Sequence, residues 1–355
     1  MSLSLYQLRK LRITAYLVAV GVVAGPFYVI FSDGFDHLFP YINSMIGGVM
    51  GALFISWVEL ELLSGKKRFL KFYYVLLIRT GLYGLVIPSM LFLIFVISRM
   101  VRYDLSFGGV LSSSEFQNYI YEQDFNVAIA YAIVLSFLAS FSYQMSRKMG
   151  QGVLLSFMIG RFYHPIKDEK VFMFINLKNS NEVINKVGRF NFHRFLKDVT
   201  YHIAPPILIH HGIIHHYVED EIVIYWDKKS AFKRAHCINT FFSIIGRFET
   251  LKEDYLQKYG HTPQFQAALH AGEVIQGEIG ELKSEIAFYG DPVNTTSRIL
   301  GQCQLLQKPF LVSEQIKNNV QLLPDFEWVD CGVLTLKGKD DKTHLYSVKK
   351  TALSD

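Results

Sequence analysis

Four apolar runs, at residues 13–31, 42–63, 72–97 and 127–143, all lie in the first part of this 355-residue chain. A helix needs roughly 17–25 mostly apolar residues to cross a bilayer, because each backbone N–H and C=O must find its partner within the segment. The runs predict a bundle of four membrane-spanning helices over residues 1–146. Basic residues set its direction. Arg9, Lys10 and Arg12 precede the first run, Lys66, Lys67, Arg68 and Lys71 stand between the second and third, and Arg147 and Lys148 follow the fourth. Lys- and Arg-rich flanks stay on the cytoplasmic side, and four spans bring all three clusters there. Both termini are therefore expected in the cytoplasm, with the chain held in an inner or plasma membrane. The first run is long and shows no small-residue cleavage site, which argues against a removed signal peptide.

Charges inside such runs need partners or a route to the interface. Glu59 and Glu61 fall near the cytoplasmic end of the second run, and Arg79 two turns into the third. Either Glu59 and Arg79 pair between helices, or each side chain snorkels separately. The net charge of +5 is concentrated beside the apolar runs and forms no stripe interleaved with aromatics, so nucleic acid is not an expected partner. Cys237, Cys303 and Cys331 lack metal-ligand spacing and read as reduced structural thiols.

Residues 147–168 repeat apolar positions at helical spacing, with Val153, Leu154, Phe157 and Met158 on one side, up to Pro165. They predict a helical linker that packs on a second copy or on the chain's own domain. Over residues 169–350, ahead of a short tail at 351–355, strands and helices alternate. Strands are predicted at 171–176, 212–217, 221–226, 264–271, 273–279, 310–312, 328–336 and 344–348. Helices are predicted at 182–202 and 229–258, and a further one holds Asn294. Hairpins mixed with helices imply an α+β sandwich and not a doubly wound nucleotide fold.

Within this domain the stretch from Glu285 to Leu300 carries the clearest chemistry. A strand-like run stops at Gly290, and Asp291-Pro292 supplies the acidic cap and first-turn proline that begin a helix. Asn294 and Arg298, four residues apart, then share a face, and an amide and a guanidinium near a helix N-terminus suit a phosphoryl oxygen. The pairs His210-His211 and His215-His216 invite a zinc reading. Neighbouring residues of a strand point to opposite faces, so neither pair is expected to chelate as a unit.

Five segments in order resemble the class III nucleotidyl cyclase catalytic domain, in the membrane-bound bacterial type with N-terminal spans. Phe174-Ile-Asn-Leu-Lys-Asn-Ser-Asn181 is similar to the family's Phe-x-Asp-Ile-x-Gly-Phe-Thr, and the hairpin Tyr217 to Trp226 to its strand-Gly-Asp-strand. Leu269 to Gly280 resembles the glycine-rich strand pair, Gly290 to Arg298 the Gly-Asp-x-Val-Asn-x-x-x-Arg signature, and Leu336-Lys-Gly-Lys339 the closing strand. The resemblance covers about residues 171–349. It implies conversion of ATP, or less readily GTP, to the 3′,5′-cyclic nucleotide and pyrophosphate, with two Mg²⁺ or Mn²⁺ ions at the site. It also implies a homodimer formed through the domain and linker, with Asn294 and Arg298 acting on the transferring phosphate.

The departures from the pattern are specific. By resemblance Asp220 fills one metal position, but Asn176 stands where the other aspartate belongs, Glu219 where a glycine precedes Asp220, and Asn179-Ser180-Asn181 where the phosphate turn reads Gly-Phe-Thr. The base-selecting positions carry His216 and Ala287 where adenylyl cyclases often have lysine and aspartate. An amide ligates a cation without neutralising it, so the two-ion site is weakened. The alternative is a degenerate cyclase that binds nucleotide, or that pairs with an intact cyclase as a regulatory heterodimer. A transporter using Glu59, Glu61 and Arg79 is a third reading, with few intramembrane charges to form a pathway.

Overall fold

A computed structural model describes residues 5–32, 38–62, 72–121, 124–149, 153–282, 284–321, 326–336, 338 and 342–351. The loop acids Asp33 and Asp36, the basic group Lys66, Lys67, Arg68 and Lys71, and Lys337 and Lys339 of the closing segment lie outside them. So do residues 352–355 of the tail. The chain divides into two compact units, Met1–Lys148 and Met149–Asp355.

The first unit is helical: α1 Leu5–Ser32, α2 Leu38–Trp57, α3 Phe72–Tyr103, α4 Phe107–Leu111, α5 Ser114–Tyr121 and α6 Asp124–Met149. Three helical stretches, Tyr41–Glu61, Tyr73–Tyr103 and Ile129–Ser146, are long and apolar enough to cross a membrane. The first of the four predicted spans falls in α1, where the apolar part, Ile13–Phe27, is shorter. Helix α1 packs on α2 through glycine. A Cβ on Gly48 would stand 2.0 Å from the Gly21 carbonyl oxygen, so only hydrogen at both positions allows this backbone approach. A single π turn, Val58–Leu62, ends α2 and turns Glu59 inward. Arg79 Nη1 meets Glu59 Oε2 at 2.9 Å, and the Tyr83 hydroxyl donates to Glu59 Oε1 at 3.0 Å. Glu59 is 4% and Arg79 2% exposed, so the pair forms and neither side chain snorkels.

The second unit opens with the short helix α7, Val153–Met158, which buries none of its residues. Strand β1, Ile166–Leu177, runs through the middle of this unit. Its run of apolar residues is buried on both faces, which is why no polar alternation shows in the sequence. Val171, Met173 and Ile175 belong to one core with Phe195, Ile203 and Ile207 of α9 (Arg189–Ile209) and Phe241 and Ile244 of α11 (His236–Thr250). Phe172 and Phe174 belong to a second core with Ile299, Leu300 and Cys303 of α13 (Asp291–Leu305). Each fully buried side chain of this size contributes about 1.5–3 kcal/mol.

The remaining strands are β2 Ile213–Val218, β3 Glu221–Asp227, β4 Phe265–Ile279, β5 Glu285–Tyr289, β6 Phe310–Ser313, β7 Phe326–Thr335 and β8 Lys342–Lys350. They form one sheet in the order β2-β3-β1-β4-β6-β8-β7, with β5 also paired to β4. All pairings are antiparallel except β4 with β6. A mixed sheet between helical layers agrees with the α+β expectation.

Four predicted elements differ. Strands 264–271 and 273–279 are one strand, β4, because Gly272 stays within the ladder and serves a helix contact. The helix predicted at 182–202 is broken at Gly188 into α8 (Ser180–Val187) and α9, and α9 continues through Pro205 and Pro206 to Ile209. The helix predicted at 229–258 becomes α10 (Lys228–Phe232), a 3₁₀ turn, α11 and α12 (Lys252–Tyr259): Arg234 and Ala235 adopt left-handed backbone with φ of 51° and 52° before α11, and Leu251 leaves helical geometry between α11 and α12. Trp226 seals the junction beside this break, its indole N–H donating to the His210 carbonyl at 2.8 Å.

Candidate active site

The residues singled out from the sequence fall at the end of β1, in the β2–β3 turn, on β2 and β5, at the start of α8 and on α13. Asn176 is the next-to-last residue of β1, directly opposite Glu221 of β3 and Gln266 of β4. Its Oδ1 atom is buried and has no hydrogen-bond partner among the described residues. A buried polar atom left unpaired costs about 1–3 kcal/mol, which a water or a bound ion would offset. Asp220 stands across from the next residue, the Leu177 N–H donating to the Asp220 carbonyl at 3.3 Å. Burial, and then the Asp220 carboxylate beside it, push the Glu221 carboxyl above the ordinary range.

Two residues at the family's glycine positions carry the backbone that glycine would. Glu219 has φ of 52° in the two-residue turn before β3, and Asn179 has φ of 57° at the start of α8. Asparagine tolerates that region, whereas glutamate is strained there. Ser180 follows as the first residue of α8, so the turn aligned with the phosphate loop does lead into a helix N-terminus.

Helix α13 is seated by one close approach. A Cβ on Gly272 would fall 2.5 Å from Pro292 Cγ, so the bare backbone of β4 accepts the proline ring at the helix start. Thr295 Oγ1 donates to Asp291 Oδ2 at 2.9 Å and Thr296 Oγ1 to the Pro292 carbonyl at 2.7 Å. With Thr295, Thr296, Ile299 and Leu300 buried, Asn294 is left exposed and Arg298 half-buried on the opposite side. Arg298 Nη1 donates to the Gly338 carbonyl at 3.1 Å, which ties the guanidinium to the segment that follows buried Leu336.

The base-selecting positions lie on β2 and β5. Ala287 of β5 pairs with Gly277 of β4, and His216 pairs with Val223 of β3 beyond a bulge at His215. The bulge brings the His215 and His216 rings to 4.5 Å and not to opposite faces. His215 packs on Phe288 at 4.9 Å and on Tyr225 at 6.1 Å. Burial is the main cause that lowers its pKa to about 4, followed by the charge of His216, with Glu285 opposing. Burial likewise lowers His216, again against Glu285. Glu285, a carboxylate felt by both imidazoles, is not among the residues that the sequence motifs single out. Its period-two relation to Ala287 on β5 was the available signal.

Two oxygen donors here are of the kind that a hard divalent cation takes, the carboxylate of Asp220 and the buried amide oxygen of Asn176. Among the described residues no group of three or more His, Cys, Asp or Glu side chains is arranged to hold a metal by itself.

No family model matches the chain. Adenylate cyclase 2 of Rhizobium meliloti (strain 1021) is 31% identical over 226 residues, which are 64% of this chain and 62% of that protein. The chain thus spans less than two thirds of that relative's length. A bacterial light-regulated adenylyl cyclase superposes with a TM-score of 0.53 at 17% identity, over 63% of this chain and 65% of its own. The adenylyl cyclase CyaB from P. aeruginosa gives 0.47 at 14% identity, over 54% of this chain and 98% of its own. The second unit has the fold of a nucleotide cyclase domain. The Rhizobium relative adds sequence likeness to that fold.

Proposed function

We propose that the chain is a membrane-anchored class III nucleotide cyclase that converts ATP to 3′,5′-cyclic AMP and pyrophosphate as a homodimer. The observation that carries this reading is the buried, unpartnered Oδ1 of Asn176 beside Asp220, an oxygen pair suited to a cation that arrives with a nucleotide triphosphate. A divalent cation bound there supplies positive charge against the triphosphate and acidifies the attacking hydroxyl. The chain's own groups do the rest. The α8 start at Asn179 and Ser180 faces phosphate oxygens with backbone N–H groups, and Asn294 and Arg298 stabilise charge developing on the α-phosphate. Arg298 is held in place by Gly338, so less of its side-chain freedom is lost when substrate binds. His216 and Glu285 are the donor and acceptor nearest the base, in the role that lysine and aspartate take in the resemblance.

The exposed apolar residues Leu155, Met158 and Ile159 after and within α7 support self-association through the linker. Three long apolar helices support a membrane location, with four spans and cytoplasmic termini as the arrangement that the basic flanks favour.

A specific observation favours a second reading. Asn176 is neutral where the family has a carboxylate, and Glu219 carries strain and charge where it has glycine, which suits a degenerate partner of an intact cyclase. Cyclic nucleotide formation by the purified full-length chain, with ATP or GTP and Mg²⁺ or Mn²⁺, separates the two. Product that vanishes in Asp220→Ala is expected. A silent wild type whose activity appears in Asn176→Asp with Glu219→Gly would replace the enzyme with the regulatory partner.

A further inference from the structure

We propose that His210 and His236, with His211, form a binding site for a transition-metal ion of the zinc class, on the helical side of the sheet and separate from the nucleotide site. His210 caps the end of α9 and His236 begins α11, 26 residues later. Their Nδ1 atoms face one another at 3.4 Å. That separation is long for a hydrogen bond, whose usual range ends near ~3.2 Å. It matches the spacing of two ligands on one tetrahedral ion. Nitrogens each about 2.0–2.1 Å from zinc, at the tetrahedral angle, stand about 3.4 Å apart.

The surroundings fit ligation. His210 Nε2 lies 2.7 Å from Ser243 Oγ of α11. With that hydroxyl accepting, the proton sits on Nε2 and the Nδ1 lone pair points toward His236, the outer-sphere arrangement that orients a ligating imidazole. His211 is exposed on the same turn, with its ring centroid 5.1 Å from that of His236. Two imidazole nitrogens stand at ligand spacing in this arrangement. Rotation of the His211 side chain supplies a third, and water completes the shell. Nitrogen donors select Zn²⁺, Ni²⁺ or Cu²⁺ over Mg²⁺, so the cation of the nucleotide site does not compete.

The backbone is set for this meeting of two helix ends. His211, Arg234 and Ala235 all adopt left-handed φ, at 58°, 51° and 52°, although none is glycine. Such conformations persist where surrounding structure holds them, and they gather at functional sites. The bound ion would fasten the end of α9 to the start of α11 across the kink.

The test uses the full-length chain in detergent, stripped with a chelator and titrated with Co²⁺, with Zn²⁺ then added in competition. One Co²⁺ per chain with the intense visible absorption of a tetrahedral ion, displaced by one Zn²⁺, is the expected result. His236→Asn, at a half-exposed position, and His210→Ala should each weaken binding about tenfold or more, and His211→Ala should reduce the absorption. His215→Ala should leave it unchanged. As a check independent of binding spectra, Zn²⁺ should raise the thermal unfolding temperature of the wild type and not of folded His236→Asn. Absence of the tetrahedral spectrum, or equal binding by His236→Asn, overturns the site.

Discussion

Glu219 occupies the backbone region that costs a residue with a Cβ roughly 1–2 kcal/mol. Glu219→Gly should therefore be more stable than Glu219→Ala by about 1 kcal/mol, since both remove the charge and only glycine relieves the turn. Thermal unfolding of the two full-length variants measures the difference, and equal stability would mean that the turn is unstrained. His215 gives a prediction of opposite character. Its folded pKa, about 4, lies below the unfolded value of about 6.5. Between those values the unfolded chain binds the extra proton, so stability is intact above about pH 6.5 and falls as the pH drops. The slope from this group is at most about 1.4 kcal/mol per pH unit and ends near pH 4. His210, also lowered to about 4 by burial and then by His236 and His211, acts with the same sign. His215→Phe should flatten the acid limb of a stability–pH curve without abolishing it, and an unchanged limb would refute the burial argument. Residue identities at these places were legible in the sequence. The left-handed backbone at Glu219, Arg234 and Ala235 was not, because these residue types do not signal it and tertiary packing imposes it.

At the level of elements, α13 depends on a contact made by β4. Gly272→Ala places a methyl group 2.5 Å from Pro292 Cγ, and neither a strand backbone nor a proline ring can yield cheaply. The expected cost is about 1–3 kcal/mol, with nucleotide affinity lowered because Asn294 and Arg298 move with the helix. Calorimetric unfolding together with nucleotide titration checks both, and a variant with unchanged affinity would separate the helix seat from the site. The helix start at Asp291-Pro292 could be read in advance from its proline, but the expected acidic cap is corrected: Gly290 holds the cap position without a side-chain bond, and Asp291 is the first helical residue, its carboxylate accepting from Thr295. The continuity of β4 could not be read in advance. An isolated glycine in a strand pattern reads as a break, and only the proline from a distant segment explains why it is retained. The same limit applies to the meeting of His210 with His236. Adjacent histidines were visible as pairs, but the partner 26 residues away is brought in by a kink with no glycine or proline to announce it.

For the whole molecule, the division into an apolar helical part and a mixed sheet followed from hydropathy alone, because bilayer thickness and strand alternation leave different periods in a sequence. The Glu59–Arg79 pair was one of two open alternatives, and the π turn at Val58–Leu62 decided it by turning Glu59 inward. Removing one partner strands a buried charge, at a cost of roughly 3–5 kcal/mol. Arg79→Gln should lower the unfolding temperature of the full-length chain in detergent, and Glu59→Gln with Arg79→Gln should recover most of the loss. An additive loss in the double variant would mean that the two residues act apart. The pair also has a consequence for voltage. A charge carried across the membrane field is driven by about 2.3 kcal/mol per 100 mV, but opposite charges held 2.9 Å apart move together as a dipole and transfer no net charge. The pair itself is therefore expected to contribute no net charge movement, and any response of proteoliposomes to an imposed diffusion potential should be the same in the wild type and in Glu59→Gln with Arg79→Gln.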